Sequence, residues 1–213
     1  MADAFGPERI PALRQSIRGM EAQLVDLVFQ SSSPGLLMDW LRVPLGGAAA
    51  AGNLAAVKRL LTAGVETQTP PQRSRPAPLL HEAAKSENES VVEELLQAGV
   101  NVHEKDSARA NRTALHWAAM VGNGAVVRAL TGAGADVDVL DACGRTPLHH
   151  ACINGHRGVV VFLLLSGACA QKGSMENEPP LHLAAIHNHP GVIEDLLSFG
   201  NVSIQRYDVR GLS

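Results

Sequence analysis

Aromatic side chains are nearly missing from this 213-residue chain, which has four phenylalanines, two tryptophans and one tyrosine, together 3% of the residues. With 46% of its residues hydrophobic, the chain can still bury a substantial core, but small aliphatic side chains must fill it. That balance, with 20 glycines, argues against a compact single-core enzyme. Cysteine is also scarce. Cys143, Cys152 and Cys169 form no CxxC pair, which fits a reducing compartment better than a disulfide framework. No basic run occurs, and acids and bases are interspersed at a net charge of −3, so the field expected of a nonspecific nucleic-acid binder is lacking. The longest aliphatic run, Val159 to Leu165, falls well short of the ~20 residues needed to cross a bilayer. The opening residues, MADAFGPERIP, lack the charged-then-apolar design of a signal peptide. These absences predict a cytoplasmic or nuclear protein that binds neither nucleic acid nor membrane.

What the chain has is repetition. Leu-His pairs begin at Leu80, Leu115, Leu148 and Leu181, at steps of 35, 33 and 33 residues. Gly64, Gly99, Gly134, Gly167 and Gly200 keep the same stride, each after a leucine-rich helical stretch. The cleanest copy reads Thr146-Pro147-Leu148-His149, then Gly155-His156, Leu163-Leu164 and Gly167-Ala168. Proline there sets φ for a first helical turn, and the paired small residues that follow let neighbouring helices approach closely. Gly122, Gly155 and Asn188 fall in the tight turn between two helices, where a left-handed backbone suits glycine or, second best, asparagine. Leu163 and Leu164, like the Val and Leu pairs of the other copies, are expected in a shared core.

Three divisions follow. Residues 1–42 do not repeat. Leu13, Ile17, Met20, Leu24 and Leu27 recur at helical spacing, and Ser33-Pro34 starts a second helix carrying Leu37, Trp40 and Leu41. They are expected to form an N-terminal helical cap. Residues 43–207 hold about five repeats, the first with its motif decayed to Val43-Pro44-Leu45-Gly46. Residues 208–213 copy the approach to the cleanest motif and read as the start of a further, truncated repeat, so the chain is expected to be a truncated product or a piece of a longer one. Two irregularities are expected to be exposed loops: the proline-rich, basic segment 67–78, and 105–112 with its two extra residues.

With these motifs in register, residues 43–203 resemble the ankyrin-repeat family. The resemblance implies an all-α repeat solenoid with short β-turn fingers, whose fingers and first helices line a concave surface that binds other proteins. It brings no catalytic residues and no cofactor. The reading is therefore a noncatalytic, monomeric scaffold for protein–protein interaction with another protein as partner. The alternative is the targeting module of a longer multidomain enzyme or of a ubiquitin-ligase substrate receptor.

The histidines do not revive an enzyme or a metal site. His81, His116, His149 and His182 recur once per repeat and suit hydrogen bonding within the turn. Stacked helices lie about 8–10 Å apart, whereas ligands of one zinc ion must each lie within about 2.1 Å of it. Cys152 is expected to be buried, and the more exposed Cys143 has no identified base. Trp117, His150 and Leu183 read as spacers between first helices. The positions that usually face the concave side in the family carry Met120 and Val121, Ile153 and Asn154, and Ile186 and His187. Leu140, Cys143, Arg145, Met175, Glu176 and Glu178 sit on the adjoining fingers. These twelve are the candidate partner-binding residues, with Met120, Ile153 and Ile186 forming an apolar ridge inside a mixed-charge rim.

Overall fold

A computed structural model describes residues 45–62, 78–86, 88–106 and 110–199. The expected N-terminal cap, the expected truncated repeat and most of the proline-rich segment lie outside the described residues. Within them the chain runs as helix pairs: α1 (45–50) with α2 (Leu54–Thr62), α3 (Leu79–Lys85) with α4 (Glu89–Gln97), and α5 (Ala114–Val121) with α6 (Gly124–Gly132). Then come α7 (Pro147–Ile153) with α8 (Arg157–Leu165), and α9 (Pro180–Ile186) with α10 (Pro190–Phe199). Among the described residues no strand forms, only an isolated antiparallel bridge between Asp106 and Arg112.

The first helix of each pair packs on the first helices of its neighbours and the second on the second, giving two layers. The expected all-α repeat solenoid is thus present. Between the layers runs one continuous core containing the Ala-Ala positions Ala83-Ala84, Ala118-Ala119 and Ala151-Cys152 and the column Leu60, Leu95, Leu130, Leu163 and Leu196. Alanine and cysteine suit the first-helix layer because short side chains permit close stacking. Leucine fills the wider space beneath them. Burial pushes the Cys152 thiol above its ordinary range, so this residue serves as core. Leu164 differs from its neighbour: Leu163 is fully buried, whereas Leu164 is only partly buried against the core.

Local chemistry explains where the helices begin and end. Pro147 and Pro180 occupy first-turn positions that need no N–H donor. The side chains of Asn88 and Asn123 accept from the N–H groups of Ser90 and Val126 and cap α4 and α6. Between the paired helices, Gly122, Gly155 and Asn188 have φ of 84°, 73° and 56°, as the turn chemistry requires. Gly122 and Gly155 have a second reason to lack a side chain. A Cβ on either would strike the ring of His156 or His189 from the following repeat.

The same turns join the repeats. Asn88 Nδ2 donates to Gly52 O (2.7 Å) and Asn123 Nδ2 to Ser86 O (3.2 Å). In the next two repeats the donors are imidazoles, His156 Nε2 to Met120 O (3.0 Å) and His189 Nε2 to Ile153 O (2.9 Å). Each bond satisfies a carbonyl left over at or beside a first-helix C-terminus and fixes one repeat's register on the last. Because Leu163 has neighbours from both sides in the fully buried column, Leu163→Ala should destabilise the domain by about 2–5 kcal/mol. Urea denaturation checks this, and an unchanged midpoint would contradict the shared core.

Candidate functional site

The candidate surface is the outer side of the first-helix layer together with the fingers that precede each first helix. The fingers of repeats four and five are tight hairpins, and that of repeat three is closed by an equivalent bond. In the fourth repeat Asp141 N donates to Arg145 O (3.0 Å), and in the fifth Ser174 N donates to Glu178 O (3.0 Å). In the third repeat the closing bond runs from Asp106 N to Arg112 O (2.8 Å), so the hairpin contains the two extra residues read from the sequence. Successive fingers join through single backbone bonds, Ala142 N to Ala110 O (2.7 Å) and Met175 N to Cys143 O (3.0 Å).

Buried polar groups hold the fingers in shape. Asp141 Oδ1 accepts from Cys143 N (2.8 Å) and Arg145 N (2.9 Å), and Oδ2 faces His150 Nε2 (2.9 Å) and Arg112 Nε (3.5 Å). Burial by itself would raise this carboxyl; the hydrogen bonds from Arg145, His150 and Cys143 together outweigh it and hold the group below the usual carboxylate range. His150 is lowered chiefly by burial, against the pull of Asp141, and is therefore a neutral donor to the carboxylate. Its ring packs edge-on against His116 of the preceding first helix, with centroids 5.6 Å apart, and it also organises the fourth finger. In the fifth finger Ser174 replaces the aspartate, its Oγ accepting from Glu178 N at 3.3 Å.

The histidines of three Leu-His pairs, His81, His116 and His149, make contacts that reach beyond their own turns. The Nδ1 atoms of His116 and His149 accept from the backbone N–H of Thr113 (3.1 Å) and Thr146 (3.0 Å). An acceptor at Nδ1 places the proton on Nε2. From there His116 donates to Arg145 O (3.1 Å) and His149 to Glu178 O (3.2 Å), each in the next finger. His81 likewise donates to Arg112 O (2.8 Å), but its Nδ1 has no partner among the described residues. The reason is local: Pro78 stands at the N-cap in place of threonine and has no N–H to give.

The twelve candidate residues divide by exposure. Met120 and Ile153 are partly buried near the ends of α5 and α7, and Ile186, at the end of α9, is 51% exposed. Val121, Asn154 and His187 are exposed beside them; Asn154 Nδ2 donates to His150 O (2.8 Å) and His187 Nδ1 to Leu183 O (2.9 Å). On the fingers, Leu140, Cys143 and Glu176 are exposed and Met175 is 77% exposed. The finger bond brings Cys143 and Met175 together. Arg145 is partly buried, with its guanidinium 3.7 Å from the Glu178 carboxylate. Glu178 departs from the expectation of a rim residue. It is buried, with its backbone carbonyl accepting from His149 and its carboxylate near Arg145, so it belongs to the finger's internal scaffold.

Sequence reasoning missed a neighbouring cluster. Lys85 Nζ lies 4.4 Å from the Trp117 ring centroid, and the Arg112 guanidinium lies 5.3 Å from it, while Lys85 also pairs with Glu82 at 2.7 Å. The indole is thus flanked by two cations on the finger side of repeats two and three. The only signal was that tryptophan occupies a position where the other repeats carry Glu82, His150 and Leu183. No group of His, Cys, Asp and Glu suited to a metal ion occurs among the described residues. Nor is any described helix long and apolar enough to cross a membrane.

The family model for ankyrin repeats (3 copies) matches residues 45–141 and 115–208. Comparison with curated proteins found no match.

The histidine contacts predict how stability depends on pH. Burial lowers His116 and His149 from 6.5 to about 4, with the hydrogen bonds to Arg145 and Glu178 opposing it only in part. Between these values the unfolded chain binds protons that the folded chain refuses. Stability should therefore be full above the unfolded value and fall as pH drops from about 6.5 toward about 4, at up to about 1.4 kcal/mol per pH unit for each histidine. Urea unfolding across that range checks it. Replacing His116 by glutamine should flatten the slope, and a stability independent of pH there would contradict it.

Proposed function

The chain belongs to the ankyrin-repeat family, and we propose from that premise that it is a noncatalytic scaffold binding another protein on the concave side of its first helices and fingers. Repeats of this family generally mediate protein–protein interaction. The observation that carries the assignment to this side is the equivalence of Met120, Ile153 and Ile186. They fall near or at the C-terminal ends of three adjacent first helices, and the Met120 and Ile153 carbonyls accept equivalent bonds from the next repeat. Equal positions in a stacked array line up.

Around this apolar line lie Val121 and the exposed finger residues Leu140, Cys143 and Met175, with Arg145 and Glu176 supplying charge. An apolar centre with a polar rim is how protein interfaces are organised. Asn154 and His187 each spend one side-chain atom on their own helix end, leaving other polar atoms available to a partner. Arg145 is oriented by the buried Glu178, which acts from behind the surface.

Affinity capture with the wild-type chain and the Ile153→Glu and Ile186→Glu variants, followed by direct titration of the captured partner, tests the reading. Each substitution should weaken binding by about 1–2 kcal/mol or more, and Ile186→Glu should leave the melting temperature unchanged because its side chain is already half exposed. Unaltered affinity in both variants would remove the concave face as the binding surface. Equal loss of affinity and stability in Ile153→Glu would make Ile153 a core residue.

A further inference from the structure

The repeats are an internal comparison for one another, and the second helices reveal a local departure. With Leu60, Leu95, Leu130, Leu163 and Leu196 set equivalent, Lys58, Glu93, Arg128, Val161 and Glu194 share a position. The next position holds Arg59, Glu94, Ala129, Phe162 and Asp195, and the last turn holds Thr62, Gln97, Gly132, Leu165 and Ser198. Repeat four alone is apolar with a large side chain at all three. Leu165 is 72% exposed, and Val161 and Phe162 are partly exposed. This face belongs to the second-helix layer, away from the concave surface.

The change also removes an ion pair. Lys58 of repeat one pairs with Glu94 of repeat two at 3.3 Å. Arg128 of repeat three and Phe162 of repeat four stand in the same relation, but phenylalanine replaces the acid. Among the described residues, Arg128 is exposed and makes no ion pair. Between the two lies an open groove of about 560 Å³, lined by Ala135, Val137 and Phe162 and by the polar side chains of Arg128, Thr131, Asp136 and Ser166, with Gly132 between them. Gly132 leaves open space where a side chain would intrude. Arg128 lies one turn before the end of α6, whereas Asp136 lies beyond it, its Oδ1 accepting from Asp138 N (2.9 Å). The groove therefore has an apolar patch at Ala135, Val137 and Phe162, hydroxyls at Thr131 and Ser166, an unpaired cation toward one end and an anion toward the other.

We propose that this groove is a second docking site, independent of the concave surface, that takes an acidic amphipathic helix from another protein. An apolar side chain of that helix enters against Phe162, and the next one along it covers Leu165, which stands exposed outside the groove about one turn further along α8. A carboxylate beside it meets Arg128, supplying the charge that Glu94 supplies to Lys58 two repeats earlier. Asp136 sets the direction by repelling the same carboxylate from the opposite end. A helix laid into a groove between two helices needs only a short run of anchors. A stable pair of copies of this chain would need roughly 1,000 Å² of complementary surface, far more than three apolar side chains provide.

Fluorescence anisotropy with two designed helical peptides tests the proposal. Both carry leucines along one face; one flanks them with glutamates and its twin with lysines. The protein should bind the glutamate peptide at least about tenfold more tightly than the lysine peptide. Arg128→Glu should reverse that preference, Leu165→Ser should weaken the glutamate peptide by about tenfold, and Ile153→Glu on the opposite face should leave it unchanged. Arg128 and Leu165 are both exposed, and melting curves of the variants verify their folding. Absence of binding, equal binding of the two peptides, or loss only in Ile153→Glu would overturn the second site. Leu165-dependent dimerisation in sedimentation would also overturn it, by making a second copy the occupant.

Discussion

A buried, neutral imidazole that accepts on one nitrogen and donates on the other is the interaction on which the rest of this array depends. In His116 and His149, Nδ1 closes the start of the residue's own first helix and Nε2 holds the finger of the next repeat. One side chain thus caps a helix and spaces two repeats. Burial makes the charged form costly, and the N–H group facing Nδ1 leaves no room for a second proton. His81 shows what each half contributes. With proline as its N-cap it keeps the link to Arg112 and loses the local contact.

The second set of inter-repeat bonds lies at the other end of the first helices and uses whichever side chain reaches. Asn88 and Asn123 do in repeats two and three what His156 and His189 do in repeats four and five. The glycines at 122 and 155 are part of the same arrangement, since they give the left-handed turn and leave space for the incoming ring. With both ends of α3, α5 and α7 bonded to a neighbour, the residues between them are presented in register. The Met120, Ile153 and Ile186 line rests on that register.

Periodicity made the architecture legible because each repeat solves the same packing problem with the same residue types. The two helices per unit, the small residues between first helices, the buried leucine column and the left-handed turns at Gly122, Gly155 and Asn188 could all be read from spacing. What could not be read were partners at offsets of 29, 31 or 36 residues, which follow from how one repeat sits on the next. Glu178 looked like a rim charge because it lies on a finger, but the hairpin closed by Ser174 turns it inward. His150 and Trp117 occupy one repeat position and do different work: one bonds Asp141, and the other lies between Lys85 and Arg112. That position holds Glu82, Trp117, His150 and Leu183 in turn, so the repeat pattern alone does not say what each side chain does.

The two faces of the array differ in how closely the repeats match. On the proposed partner-binding side three successive repeats carry apolar residues at one position, Met120, Ile153 and Ile186, whereas on the second-helix side repeat four breaks with the others at Val161, Phe162 and Leu165. The link between repeats depends most directly on the protonation of the connecting histidines. Proton–nitrogen correlation NMR of the imidazole rings at about pH 6, where an ordinary histidine is largely protonated, resolves it. His116 and His149 should appear neutral with the proton on Nε2. An imidazolium, or a proton on Nδ1, in either ring would contradict the two-sided connection between repeats.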